Sequence, residues 1–205
     1  MKKAWYFLLL LLVSTTPAAQ AQFDYTTNAG AITITNYSGP GGNVVIPSTL
    51  TGLPVTSIGI NAFQGSSLGT VTIPDSVASI GAGAFFNTGL TNVTIPASVK
   101  SIGANAFAFC SLPGVTVPAS VTNLGQLVFV GGYAMKAITV AAGNKYYSSA
   151  DGVLFDARRA TLLECPDGFT GNYAVPKGVT NIADEAFWSC GGVTGVTIPG
   201  SVRCV

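Results

Sequence analysis

The sequence predicts a mainly β protein built as a solenoid, a stack of coils in which each coil is one short repeat. Two sets of residues recur with a period of 22–23 residues, broken only by the last interval, and lead to this prediction. The first is a triplet of apolar, Thr and apolar residues, and successive triplets start 22, 22, 23 and 58 residues apart. The triplets are Val71-Thr72-Ile73, Val93-Thr94-Ile95, Val115-Thr116-Val117, Ile138-Thr139-Val140 and Val196-Thr197-Ile198. A period in the twenties is typical of a solenoid, because one repeat cannot bury its apolar face without a neighbour.

The second set is an apolar pair followed at constant distance by a small residue and a phenylalanine. It occurs as Ile58-Gly59 with Ala62-Phe63, Ile80-Gly81 with Ala84-Phe85, Ile102-Gly103 with Ala106-Phe107, Leu124-Gly125 with Val128-Phe129, and Ile182-Ala183 with Ala186-Phe187. Coils that stack at the strand spacing of about 4.8 Å place these phenylalanines in one internal column. We expect the column to be core, and a ligand-binding aromatic strip is the alternative.

The triplets predict short strands with an exposed row of threonines. Proline follows most of them, and because it has no N–H it ends the strand: Pro74, Pro96, Pro118 and Pro199. Side chains alternate along a strand, so the valines and isoleucines point inward and the threonines outward. The predicted threonine ladder is Thr72, Thr94, Thr116, Thr139 and Thr197. It is a candidate surface for a protein, a glycan or ice, although threonine is also simply a good exposed strand residue.

The full repeat, V-T-I-P-x-S-V-x-x-I-G-x-x-A-F-x-x-C/T-x-L, resembles the BspA-type leucine-rich repeat of secreted and surface proteins from bacteria and some protists. The resemblance covers roughly Thr33 to Val205. It implies a right-handed leucine-rich-repeat solenoid of 22–23-residue coils, with short helical turns and a parallel sheet on one side. It also implies adhesion or protein binding, and it brings no catalytic residues.

The N-terminal segment 1–21 has the pattern of a secretory signal peptide. Lys2 and Lys3 give a charged start, residues 4–13 are an unbroken apolar run, and Ala19-Gln20-Ala21 is a small-residue cleavage site. The ten apolar residues are too few for a transmembrane span, which needs about 20. We therefore expect export, a secreted or cell-surface location and a mature chain that begins at Gln22; an N-terminal buried helix is the alternative.

Composition argues against several classes of protein. Without Lys2 and Lys3 the chain has seven basic and eight acidic residues, so no basic face for nucleic acid is expected. It contains no histidine, which excludes Ser-His-Asp and Cys-His catalysis and a His-based zinc site. Asp151 and Asp156 do not have the spacing of a calcium loop. We expect no enzyme, no cofactor and no metal.

The order of segments follows from the repeat. We expect an N-terminal cap and first strand at 22–53, regular coils at 54–140, an insertion at 141–174 and further coils at 175–205. In the insertion, apolar runs at 152–155 and 161–165 predict a β-hairpin that projects from the stack. Its turn carries Arg158 and Arg159, a second candidate binding surface; the alternative is that both arginines are merely solvated.

The cysteines give two further expectations. Cys110 and Cys190 occupy the same repeat position three strand steps apart, roughly 14 Å, which is too far for a disulfide. We expect Cys110 to be a small buried residue, whereas pairing of Cys190 with Cys165 or with Cys204 stays open. Aligned on Pro199, Cys204 takes the place of Ser101, so the chain stops in mid-repeat and we expect missing repeats or a partner to cover its last face.

Together these observations favour a secreted, non-enzymatic binding or adhesion module. Its ligand would be a protein or a glycan, bound by the threonine ladder or the hairpin. A structural spacer or envelope component without a specific ligand is the alternative. A polysaccharide-acting enzyme is a remote third, and it would depend on Asp151 or Asp156.

Overall fold

The computed structural model describes residues 22–205, which form eighteen strands and no helix; the predicted signal peptide lies outside the described residues. The strands are β1 (Phe23–Asn28), β2 (Ala31–Tyr37), β3 (Gly42–Val45), β4 (Thr49–Leu50), β5 (Leu53–Ile58), β6 (Leu68–Thr72), β7 (Ser79–Ile80), β8 (Asn92–Thr94), β9 (Ser101–Ile102), β10 (Gly114–Val117), β11 (Asn123–Leu124), β12 (Ala137–Val140), β13 (Tyr147–Ala150), β14 (Val153–Asp156), β15 (Thr161–Glu164), β16 (Gly171–Ala174), β17 (Asn181–Ile182) and β18 (Val193–Thr197). They build a β-solenoid of about seven coils with roughly 23 residues per coil, which confirms the predicted fold class.

Each regular coil contributes two short strands, so the stack has two parallel ladders. One ladder consists of the triplet strands, in the orders β3-β6-β8 and β10-β12. The other contains the Ser-Ile pairs and their equivalents, in the order β2-β5-β7-β9-β11. One parallel sheet, on one side of the stack, was expected, whereas the structure has a second parallel ladder as well. Proline ends the first strand of a coil and the chain turns. The coil then forms its second strand, such as Ser79–Ile80, which pairs with the equivalent strands of both neighbouring coils.

A third face of each coil is a hydrogen-bonded turn where short helical turns were expected. Within one coil, Phe86 N–H donates to Gly83 O at 2.9 Å. Between coils, Phe85 N–H donates to Ala106 O at 2.8 Å, and Phe107 N–H donates to Val128 O at 2.9 Å. These turns therefore stack through main-chain hydrogen bonds, as the strands do.

The phenylalanine column forms along the inside of this turn face. Neighbouring rings are stacked, with centroid separations of 5.0 Å for Phe63 and Phe85, 5.2 Å for Phe85 and Phe107, and 5.9 Å for Phe107 and Phe129. All four side chains are buried. Phe187 was expected in the same column, but it is half-buried and packs against Tyr173, because the insertion separates its coil from the others.

The N-terminal segment caps the column. Strands β1 and β2 form an antiparallel hairpin, and β2 then pairs in parallel with β5. The hairpin supplies Phe23 and Tyr37, which are both buried, and the Tyr37 ring stacks on Phe63 at 5.1 Å. The expected strand at 31–37 is confirmed, and β1 covers the end of the stack beside it.

The insertion contains the predicted hairpin, β14–β15, but β13 extends it to a three-stranded antiparallel meander. Asp151 and Gly152 both have positive φ, 51° and 80°, as a two-residue hairpin turn of type I′ requires. The hairpin does not project from the stack, because Leu154, Phe155 and Leu162 are at most 1% exposed. Strand β15 pairs in parallel with β17, so the insertion takes the place of a coil.

The last coil follows the predicted alignment. Cys204 pairs with Asn181 as Ser101 pairs with Ser79 in a regular coil, and Ile182 N–H donates to Cys204 O at 3.0 Å. The expectation that every triplet buries its apolar residues is wrong here. Val196 is 39% and Ile198 49% exposed, because within the described residues no coil packs on this face.

Candidate functional site

The threonine ladder is exposed as predicted, but it holds four residues in line instead of five. Thr72 lies beside Thr94, and Thr116 lies beside Thr139, in register on paired strands. Thr197 is also exposed, but β18 pairs with β16 and places it beside Ala174 in a separate sheet. We therefore take Thr72, Thr94, Thr116 and Thr139 as the candidate surface.

The hydroxyl groups of these four threonines are free. Within the described residues no intramolecular hydrogen bond is found for them, whereas Thr70 Oγ1 donates to Asn43 Oδ1 at 2.9 Å and Thr91 Oγ1 donates to Gly69 O at 3.1 Å. Every free hydroxyl can donate one hydrogen bond and accept others. The row can thus bond a ligand without breaking bonds inside the protein.

The triplet ladder is interrupted in the middle of this row. No strand pairing joins β8 to β10 among the described strands, although the coils stay in register on the other ladder through β9 and β11. Elsewhere the residue before the triplet strand donates to the coil below it: Thr91 N–H to Gly69 O at 3.0 Å, and Lys136 N–H to Pro113 O at 2.9 Å. Pro113 occupies this position between them and has no N–H to give to Thr91 O.

The interruption lies in a trough along the threonine row. One groove of about 760 Å³ is lined by Thr94, Thr116 and Thr139 together with small apolar residues. A second groove of about 340 Å³ contains Thr72, and the two share the β8 wall. We call these two grooves the threonine trough. Asp75 is the one ionisable side chain among its lining residues, so the trough is close to neutral.

The two arginines of the insertion lie outside the trough. Arg158 and Arg159 are exposed in the turn between β14 and β15, and the Arg159 guanidinium donates to Ser149 O at 3.1 Å. In the same turn, Asp156 Oδ1 accepts Ala160 N–H at 2.7 Å. Asp156 therefore closes this turn, and Asp151 belongs to the preceding turn, so both aspartates serve the hairpins.

Sequence reasoning missed two buried acids at the place where the insertion meets the regular coils. We call this junction, between β11 with its following turn and strands β14–β15, the seam. Glu164 and Asp167 are each 4% exposed. Phe129 N–H donates to Glu164 Oε1 at 2.9 Å, where the equivalent Phe107 donates to a main-chain carbonyl of the next coil. The Glu164 carboxyl group thus takes the place of the main-chain carbonyl that the next regular coil would supply.

Burial changes the protonation of both acids. It raises the pKa of Glu164 to about 8, against the lowering effect of the Phe129 amide. It also raises the pKa of Asp167 to about 6, although the Gly131 and Gly132 amides lower it. The Asp167 oxygens make no well-formed hydrogen bond in the described chain. Neither acid recurs at the repeat period, so the repeat pattern contains no signal for them.

The four cysteines are free thiols in this structure. Cys110 is buried as predicted, with Sγ 3.3 Å from Thr88 Oγ1, and burial raises the pKa of its thiol. Cys190 Sγ lies 3.4 Å from Cys165 O, so these two residues are neighbours in successive layers. Pairing of Cys190 with Cys165, or with Cys204, stays a prediction.

Within residues 22–205, no helix has the length and apolar character needed to cross a bilayer. Nor do three or more Cys, Asp or Glu side chains in this range gather in a way that could hold a metal ion.

Short parallel strands, an internal phenylalanine column and a period near 23 residues define a leucine-rich-repeat solenoid. The chain belongs to the BspA type leucine rich repeat family, whose model matches residues 56–150 and 169–205 in six copies. The family model describes a structural repeat and indicates no catalytic family. Among curated proteins no match was found.

Solved structures with the same fold are bacterial repeat proteins. A leucine-rich repeat protein from Eubacterium ventriosum has a TM-score of 0.66 at 23% identity and covers 87% of this chain; this chain spans 57% of that protein. The pneumococcal vaccine antigen PcpA has a TM-score of 0.61 at 19% identity, and the match covers 89% of this chain and 70% of the PcpA chain. A protein from Bacteroides capillosus is 30% identical with a TM-score of 0.54, over 59% of this chain and 95% of its own.

Proposed function

We propose that the protein is a secreted or surface-associated binding module whose threonine trough recognises a protein or a glycan. The observation that carries the proposal is the row of four exposed threonine hydroxyls that have no partner within the described chain. The strand spacing of about 4.8 Å separates Thr72 from Thr94 and Thr116 from Thr139, the two pairs that flank the gap between β8 and β10. A ligand with polar groups at that spacing would match each pair.

The chemistry of the trough narrows the type of ligand. Its lining is nearly neutral and rich in Thr and Ala, so it offers hydrogen bonds and apolar contact but little electrostatic attraction. A strongly anionic polymer has no cationic partner among the lining residues. We infer a neutral glycan or an uncharged stretch of protein surface, held by hydrogen bonds and close contact.

The location is supported by the relatives and by the sequence. The N-terminal pattern predicts export, and one of the similar structures is described as a vaccine antigen. A fusion of residues 1–30 to a reporter protein tests export directly, with Lys2→Glu and Lys3→Glu as the comparison. Reporter retained inside the cell with the native segment would contradict this part of the proposal.

Binding to an array of matrix proteins and glycans tests the function itself. The double variant Thr94→Lys, Thr116→Lys places two long cationic side chains in the trough, and we expect it to weaken binding by at least about tenfold, or roughly 1.4 kcal/mol. The matched control is Thr26→Lys, Thr180→Lys, which changes two exposed threonines outside the trough. Equal binding by the native chain and both variants would exclude the trough as the recognition surface.

The alternative is a spacer that holds other parts of an envelope assembly apart. It predicts that the folded chain binds nothing on the array. The remote enzymatic alternative predicts turnover that is lost on Asp151→Asn or Asp156→Asn. Because both aspartates serve hairpin turns, we expect those variants to change stability and no activity.

A further inference from the structure

A second cavity opens at the seam, on a different part of the molecule from the threonine trough. It has a volume of about 220 Å³. Its apolar walls come from both halves of the stack: Leu124 and Leu127 from the regular coils, Leu154 and Leu163 from the insertion, and Ala183 from the last coil. The cavity exists because β11 and β15 are not paired, so the Ser-Ile ladder is interrupted at this point.

The cavity has few polar groups, and its ionisable side chains are acidic. Glu164 is among the lining residues, with Asp184 exposed beside it, and no lysine or arginine lines the cavity. Tyr147 also lines it, and the Tyr147 hydroxyl oxygen accepts Leu124 N–H at 2.8 Å, which leaves its own proton available. On the insertion side, the negative charge of Asp167 also raises the pKa of Glu164.

A main-chain hydrogen bond and burial hold the Glu164 side chain in place. Its Oε1 accepts Phe129 N–H, and its side chain is 4% exposed, so the carboxyl group is fixed at the wall of the cavity. Within the described residues no basic side chain forms an ion pair with it. A buried carboxyl group without a cationic partner is costly to ionise, and a cation that enters the cavity offsets part of that cost.

We propose that the seam cavity is a binding site for a primary alkylammonium compound, with Glu164 as its counter-ion. The apolar walls would contact the alkyl chain, and Asp184 would contribute at the rim. At about 30 Å³ for each water molecule, the cavity corresponds to roughly seven heavy atoms, the size of a six-carbon amine. This site is independent of the proposed recognition by the threonine trough.

Amine binding in the seam cavity depends on pH. The pKa of Glu164 is raised to about 8 by burial, so at neutral pH the empty site holds a proton that the ammonium ion must displace. The apparent affinity scales with the ionised fraction of the free site, so it should rise about tenfold from pH 6 to pH 7 and level off above pH 8. Binding at pH 7 should release close to one proton.

Titration calorimetry of the purified chain with n-hexylamine tests the site, and hexan-1-ol serves as the neutral comparison. At pH 8 we expect the amine to bind at least tenfold more tightly than the alcohol. Buffers with different ionisation enthalpies at pH 7 measure the released proton. A pH-independent affinity, equal binding of amine and alcohol, or no binding of the amine would each overturn the proposal.

Variants separate the charge from the fold. Glu164→Gln should reduce amine binding to the level of the alcohol, remove the proton release and leave alcohol binding unchanged, which shows that the cavity is intact. Asp184→Asn should cause a smaller loss, whereas Glu185→Gln, an exposed neighbour outside the cavity lining, is the matched control and should bind as the native chain does. Amine binding that survives Glu164→Gln would contradict the assignment, and the pH profile of the native chain tests it even if that variant does not fold.

Discussion

At the scale of single residues, the seam depends on a carboxyl group where every regular turn has a main-chain carbonyl. Phe85 and Phe107 donate to the next coil, whereas Phe129 donates to Glu164 Oε1. A protonated carboxyl group accepts this bond and needs no counter-charge, so it substitutes well for a peptide oxygen. An ionised one would be a buried charge at the junction of the two halves.

This difference predicts that stability falls as pH rises. The pKa of Glu164 is near 4.5 when exposed and about 8 in the folded chain, so the folded state holds the proton more tightly. The contribution is full below pH 4.5 and is lost progressively up to about pH 8, amounting to on the order of a few kcal/mol. Glu164→Gln should therefore melt higher than the native chain at pH 9 and similarly at pH 4.5, in thermal unfolding followed by circular dichroism.

The control for this prediction is Glu185→Gln, which removes an exposed carboxyl group near the seam. It should leave the pH profile unchanged. If the native chain instead gains stability between pH 5 and pH 8, the assignment of a protonated Glu164 is wrong. Asp167 acts in the same direction over a lower range, because burial raises its pKa to about 6.

At the scale of the elements, the glycine after each isoleucine sets how closely the coils approach. A methyl group on Gly81 would lie 2.6 Å from Gly59 C and 2.7 Å from Ile60 N, both main-chain atoms of the preceding coil. Gly103 and Gly125 face the coils below them in the same way. The last coil has Ala183 at this position, since the coil before it is the insertion.

Gly81→Ala should therefore destabilise the stack by about 1–3 kcal/mol, because a main-chain clash cannot be relieved by a rotamer change. The matched control is Gly200→Ala, where an added methyl group meets nothing within 4 Å. That variant should be neutral or slightly stabilising, by up to about 1 kcal/mol. Urea unfolding of the two variants measures the difference, and equal stabilities would refute the close-packing argument.

Pro113 gives a second prediction at this scale. Replacing it by threonine restores an N–H that can donate to Thr91 O and continue the triplet ladder from β8 to β10. A net hydrogen bond contributes about 1 kcal/mol, which the loss of proline's restraint on the unfolded chain largely offsets. Stability should thus change little, while the residue 113 amide becomes protected from hydrogen exchange. A fast-exchanging amide at this position would show that proline is not what holds the ladder apart.

The sequence predicts the repeating part of these elements well and the interruptions poorly. The triplets, the proline stops and the Phe63 to Phe129 column follow from a period that each coil reinforces. The second ladder was missed because a Ser-Ile pair is too short to be recognised as a strand. Glu164 and Tyr147 gain their roles from contacts across the seam, and residues distant in sequence carry no periodic signal for such contacts. The exposed threonines were predictable, whereas the gap at Pro113 required the pairing itself.

At the scale of the whole molecule, strand β14 joins two apolar cores. Leu154 belongs to the core of the regular coils, and its neighbours Val153 and Phe155 belong to the smaller core of the C-terminal part. Alternation of side chains along β14 produces this division. The insertion therefore connects the two parts of the stack and is not a surface appendage.

Leu154→Ala should weaken this connection, at a cost of about 2–5 kcal/mol for a fully buried leucine. We expect hydrogen exchange to rise first in residues 161–205, while the regular coils keep their protection, so that unfolding separates into two steps. Val140→Ala, a half-buried residue on β12, is a milder control. Uniform loss of protection along the chain would mean that the two cores unfold as one unit.

The direction of the ladder bonds also determines how the molecule responds to tension. Main-chain hydrogen bonds run from coil to coil, along the axis of the stack, so a pull along that axis loads one layer of bonds after another in series. At the seam, the side chains of Tyr147 and Glu164 replace two peptide oxygens as acceptors, beside main-chain bonds such as Gly168 N–H to Met135 O at 2.8 Å. We expect the seam and the gap between β8 and β10 to yield first under such a pull, while the coils on either side of them stay folded.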